Sequence, residues 1–171
     1  MSLIDISSNL LLIAFFAYIL GTVLIAGSIK RNDGAAKRAE KWGKAGIVVS
    51  IIGFIAQLGY FITRWIYGGH APVSNMFEFT TAFGMFLVGA FILIYFIYRV
   101  KALGLVALPI AVLFISYATM FPTDVTPLVP SLQSHWLTIH VITAAIGQSI
   151  LAISAVAGLI YLLKEVDPKT P

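Results

Sequence analysis

The stretch Ala45–Tyr67, AGIVVSIIGFIAQLGYFITRWIY, decides the fold. It runs for 23 residues and carries one charged side chain, Arg64, close to its end. A helix needs about 20 apolar residues to cross a bilayer core of roughly 30 Å, so this segment is long enough to span. Within it, Gly46, Ser50, Gly53, Gln57, Tyr60 and Arg64 recur at alternating spacings of four and three. That spacing draws one continuous helical face. A face of small and polar residues is costly against lipid, so it is expected to point inward, towards another helix or a ligand.

Four further stretches read in the same way: Leu10–Ile29, Thr80–Tyr98, Leu103–Phe121 and Trp136–Leu163. The first has Asp5 upstream, no basic leader and a basic loop behind it, so it reads as a span and not as a cleaved signal. The whole chain of 171 residues is 60% hydrophobic and only 11% charged. Soluble domains run at roughly 45–50% apolar and about 25% charged, and a chain this short leaves much of its surface outside any core. Lipid is therefore the solvent, which excludes a soluble enzyme, a nucleic-acid binder and a secreted disulfide scaffold. Cysteine is absent, which removes thiol redox chemistry and thiolate metal ligands. The expectation is an all-α, polytopic membrane protein, one membrane domain over residues 1–171 with five transmembrane helices.

Orientation follows from the basic residues. Lys30, Arg31, Lys37, Arg38, Lys41 and Lys44 fill the first loop, Arg99 and Lys101 the turn after span three, and Lys164 and Lys169 the tail. All lie on one side, which the positive-inside rule makes cytoplasmic. The N-terminus is then outside and the C-terminus inside. The net charge of +4 is topological and not a nucleic-acid patch. Trp65 and Trp136 fall at the outer interface and Trp42 at the inner one, as aromatic belts do.

The outer side collects the chemistry: His70, His135 and His140 all fall there. The loop from Pro122 to His135 holds three prolines, Pro122, Pro127 and Pro130, and should be extended and stiff. His140 follows Trp136 by one helical turn, just below the interface, and its face continues through Ala144, Gly147, Leu151, Ser154 and Gly158. That stripe is also expected to point inward, to pack against a helix or to let a flat ligand close. His140 itself is either an interfacial histidine bonded to a neighbouring helix or a functional residue, the default for an ionisable group in a span. His135 and His140 are five apart and do not converge as a zinc pair. A bis-histidine cytochrome b would need a second ligand from a loop. Arg64 either pairs with Glu78 or faces a ligand carboxylate, for which its planar fork is suited. Ser74, Asn75 and Glu78 either cap span three or contact a ligand.

Two outer segments carry a resemblance. Gly69-His70-Ala71-Pro72-Val73-Ser74-Asn75-Met76-Phe77-Glu78 resembles the G-x-x-P-x-S-N-x-[YF]-E stretch of the CcsA/ResC cytochrome c biogenesis family (system II, often named CcsB in bacteria). Pro127–Val141 is similar to that family's P-x-L-x-S-x-W-L-x-x-H-V segment. The resemblance covers nearly the whole chain and looks closest to the ResC branch. It implies a multi-pass protein of the bacterial plasma membrane that handles haem at the outer face with a ResB-type partner, for attachment to apocytochrome c. The family complex acts as a cytochrome c synthase, or haem lyase. Carried over, His140 is an axial ligand of haem iron, with Trp136 and Arg64 as further haem-binding candidates. His135 and His70 fall at variable positions and take no such role. The family continues into a tryptophan-rich external segment and a second ligand histidine, whereas this sequence stops at Pro171. It therefore reads as an N-terminal fragment, a split-gene half or a truncated product, from which activity alone is not expected.

Two other readings stand beside this one. A non-catalytic scaffold would use the small-residue stripes to dock other helices. A small-solute transporter is disfavoured by five spans without an inverted repeat or a pair of broken helices.

Overall fold

In a computed structural model the chain forms an up-and-down bundle of helices with no strand among the described residues, which are 2–29, 36–125, 127–128, 130 and 133–166. The elements are α1 (Leu3–Ile29), α2 (Ala36–Gly68), α3 (Met76–Tyr98), a single 3-10 turn (Lys101–Leu103), α4 (Gly104–Ala118) and α5 (His135–Val166). Five stretches are long and apolar enough to cross a membrane, so the expected spans are present and the chain is a multi-pass membrane protein. Lys30, Arg31, Lys169 and Pro171, and Val129, Ser131 and Leu132 of the second outer segment, lie outside the described residues.

Local chemistry sets the helix ends. α1 starts seven residues ahead of its apolar run because Ser2 and Asp5 cap it reciprocally: Ser2 N donates to Asp5 Oδ2 at 2.8 Å and Asp5 N to Ser2 Oγ at 3.2 Å. α2 begins within the basic loop, where Lys44 bridges back to Glu40 one turn earlier at 2.7 Å. α3 ends on Arg99 in the left-handed region, φ 59°, with its N–H donating to the Tyr95 carbonyl. α4 has 15 residues, about 22 Å at 1.5 Å per residue. The preceding 3-10 turn extends it to an 18-residue apolar stretch. Pro109 lies inside α4 and removes the N–H that would bond Leu105.

α1 and α2 run antiparallel with their backbones close together. A Cβ on Gly46 would stand 2.7 Å from Ile25, and one on Gly53 would stand 2.8 Å from the Tyr18 ring. The alternating four-three face of α2 is therefore buried against α1, as its spacing predicts. α4 packs across α1 and α3, and α3 joins α2, α4 and α5. α5 runs parallel to α3 and is the least enclosed helix, with 17% of its apolar window buried against 44% for α2 and α3.

Helix direction puts Lys37, Arg38, Lys41, Lys44, Arg99 and Lys101 at one end of the bundle, the basic end. Asp5, Arg64, Glu78, Asp124 and all three histidines gather at the other, the histidine end. The predicted segregation of charge is present in the fold.

Candidate functional site

The histidine end is organised by a buried ion pair. Arg64, in the last turns of α2, is 5% exposed, and Glu78, in the first turn of α3, is 1% exposed. Arg64 Nε donates to Glu78 Oε1 at 3.0 Å, and Nη2 donates to the carbonyl of Thr123 beyond α4. The second carboxylate oxygen of Glu78 accepts from Ser74 N at 3.1 Å and from Ser74 Oγ at 2.7 Å. Asn75 caps α3, its Oδ1 accepting from Glu78 N at 2.8 Å. Of the alternatives the sequence left open, pairing and capping are both realised, and one cluster performs them. The guanidinium also lies 4.9 Å from the centroid of the Phe77 ring.

Deeper in the bundle a second polar cluster continues from the first. Tyr18 Oη donates to Gln57 Oε1 at 2.7 Å, and Gln57 Nε2 donates to the Thr81 carbonyl at 3.0 Å. Tyr60 Oη and Thr81 Oγ1 lie 3.1 Å apart, and Thr81 reaches back to the carbonyls of Phe77 and Glu78. α1, α2 and α3 are thus tied together by paired polar groups at a depth where an unpaired one costs several kcal/mol.

Beside Arg64 the helices part. A cleft of about 410 Å³ lies between α1 and α4, with Arg64, Tyr60 and Phe77 in its inner wall. A smaller cavity of about 70 Å³ separates His70, Val73 and Ser74 from Leu137, Thr138 and Val141. The first outer loop therefore rests against the opening turns of α5. His70 lies in this contact, with Nδ1 3.1 Å from the Ala71 carbonyl.

His140 lies elsewhere. It is exposed near the start of α5, and Trp136, one turn earlier, is 81% exposed. α5 meets α3 through Ala145, Ser149 and Ile153, which are buried. Of the face carrying His140, Gly147, Leu151 and Gly158 are exposed, while Ala144 is half-buried and Ser154 borders a cavity shared with α3. A Cβ added at Gly147 or Gly158 would meet nothing within 4 Å. The expectation that this stripe points inward is therefore corrected. The Ala145–Ser149–Ile153 edge wins the contact with α3, where Ser149 Oγ also approaches the Phe83 carbonyl at 3.4 Å. No hydrogen bond or ion pair joins Arg64 to His140; Arg64 is tied to Glu78 and Thr123.

Comparison with known proteins adds the family. The chain is 36% identical over 149 residues to the cytochrome c biogenesis protein CcsA of Anthoceros angustus, which covers 82% of this chain and 41% of that protein. It is 34% identical over 170 residues to CcsA of Mesostigma viride, covering 95% and 53% respectively. A relative from Rippkaea orientalis bears the same name, 31% identical over 127 residues. This chain belongs to the CcsA family. It spans about half the length, or less, of these curated relatives. No protein-family model and no solved structure matches it.

In this CcsA-family chain, sequence reasoning anticipated the pairing of Arg64 with Glu78, but it missed three parts of the buried cluster. Tyr18 and Thr81 are isolated polar residues in apolar helices, a signal that was present but had no partner in view. Thr123 contributes a backbone carbonyl, which no side-chain pattern announces.

Proposed function

We propose that this chain acts in c-type cytochrome biogenesis, handling haem at the external face of the bacterial plasma membrane with a ResB-type partner, for attachment to apocytochrome c. The observation that carries the reading is His140. It stands in the W-L-x-x-H-V pattern shared with the family and presents an exposed imidazole on an open helical face, one turn from an exposed indole. Haem fits this surface in chemistry and in shape. Imidazole is an axial iron ligand, and the bare backbone at Gly147 leaves room for a flat ring. Among the described residues no three histidine, cysteine or acidic side chains converge, and any second iron ligand would be supplied separately.

In this role His140 would hold the iron and Trp136 would flank the ring. The bound haem supplies the reactive vinyl groups, and the chain supplies position and an open approach. Arg64, paired with Glu78, supports the loop that rests on α5. The external placement of the histidine end rests on the positive-inside bias.

The test uses the full chain co-purified with its ResB-type partner. His140→Gly is expected to abolish the bound-haem spectrum, and added imidazole to restore it, whereas His135→Gly leaves it intact. A His140→Gly complex with unaltered haem and no response to imidazole refutes the ligand assignment. Since the chain has no cysteine, Gln133→Cys with an impermeant maleimide on intact cells reads the sidedness directly. A second reading, a docking subunit without haem of its own, is favoured by the open small-residue face of α5. Co-purification of the partner with no haem in either variant supports it instead.

A further inference from the structure

The cleft beside Arg64 is not part of the haem surface. Its rim is exposed, made of Ser8 and Leu12 on α1, Ser116 on α4 and Thr119 just past the end of α4. Its inner wall of Leu11, Tyr60, Arg64, Phe77 and Ile115 is buried. The opening lies between the outer ends of two helices that are long and apolar enough to span a membrane.

Arg64 makes this cleft more than a gap. A guanidinium has five N–H donors. Two of them are used, one on Glu78 and one on the Thr123 carbonyl. Subtracting two from five leaves three without an acceptor among the described residues. No fully buried side-chain nitrogen or oxygen there lacks a partner, so the free edge of Arg64 borders the cleft that it lines. A free donor edge at this depth calls for an acceptor. The acceptor is uncharged, because Glu78 already neutralises Arg64 and a second anion would bring an unbalanced charge into a low-dielectric site. The rings of Phe15, Tyr60 and Phe77 line the same space, which favours a flat aromatic-sized head. Its volume of about 410 Å³ falls within the range for small-ligand sites.

We propose that the α1–α4 cleft binds a membrane amphiphile of the quinone class. A carbonyl of its planar ring accepts from the free edge of Arg64, and its apolar tail leaves between α1 and α4 into the lipid. The proposal concerns binding alone and is independent of haem at His140.

The experiment uses the full chain in nanodiscs with an azido-benzoquinone carrying one isoprene unit. Photolysis and peptide mapping locate the label. Saturable labelling of α1 and α4 peptides is expected, displaced by the unmodified quinone and unchanged by His140→Gly. Ser116→Trp blocks the exposed rim without touching the ion pair and should abolish the label. Arg64→Gln with Glu78→Gln removes both charges together and should weaken binding about tenfold, the worth of one charge-assisted hydrogen bond. Label spread over the exposed helix surface overturns the proposal. Equal displacement by phosphatidylglycerol, which makes the cleft a general lipid groove, or by haemin also overturns it.

Discussion

Glu78→Ala is the most informative single substitution in this molecule. Both members of the Arg64–Glu78 pair are buried, at 5% and 1% exposure, and the carboxylate accepts from Arg64 and twice from Ser74. Removing it leaves a buried guanidinium without its counter-charge, and breaking a buried pair in this way costs about 3–5 kcal/mol. Replacing both partners by apolar groups removes the stranded charge. Arg64→Met with Glu78→Leu should therefore be destabilised far less than Glu78→Ala alone, although Thr123 and Ser74 lose their partners. At roughly 1.4 kcal/mol per decade, the single variant should shift the unfolding equilibrium by about two to nearly four decades. Titration from mixed micelles into SDS, followed by helical circular dichroism, measures both variants and the coupling between the sites. A single variant within about 1 kcal/mol of the parent, which is the scale of exposed pairs, would refute the reasoning. So would a double variant as unstable as the single one.

Two further outcomes follow from packing and from the buried polar cluster. Gly46→Val places a side chain where a Cβ would already lie 2.7 Å from Ile25, and should cost about 1–3 kcal/mol of overpacking or more, whereas Gly147→Ala, open on every side, should be neutral or slightly stabilising in the same titration. Tyr18→Phe removes the donor to Gln57 and leaves a buried amide oxygen unsatisfied, a loss of about 1–3 kcal/mol. Gln57→Leu in that background should recover part of the loss.

The spans were legible because the length and continuity of an apolar run are one-dimensional properties. Their ends were less so. α1 begins at Leu3 on a cap made by Ser2 and Asp5, and α2 reaches back to Ala36 through a charged segment that apolar counting passes over. The face of α2 was read correctly, since a run of Gly46, Ser50, Gly53 and Gln57 has no favourable contact with lipid. The face of α5 was not. Gly147, Ser154 and Gly158 form one small-residue edge, and Ala145 and Ser149 form another at the same spacing. Only the shape of α3 selects between them. The Arg64–Glu78 pair was legible as one of two alternatives, because both charges flank one short loop. The cleft beside it was invisible, since an empty space is set by what four separate helices fail to fill.

Arg99 holds a left-handed backbone at the foot of α3, so α3 and α4 fold back on each other with only a tight reversal between them. α5, by contrast, starts at His135, well after α4 has ended at Ala118, and leans chiefly on α3. During synthesis the first four helices can close their mutual interfaces before the fifth has left the ribosome. The fifth helix then settles on a wall already built, chiefly through its contact with α3.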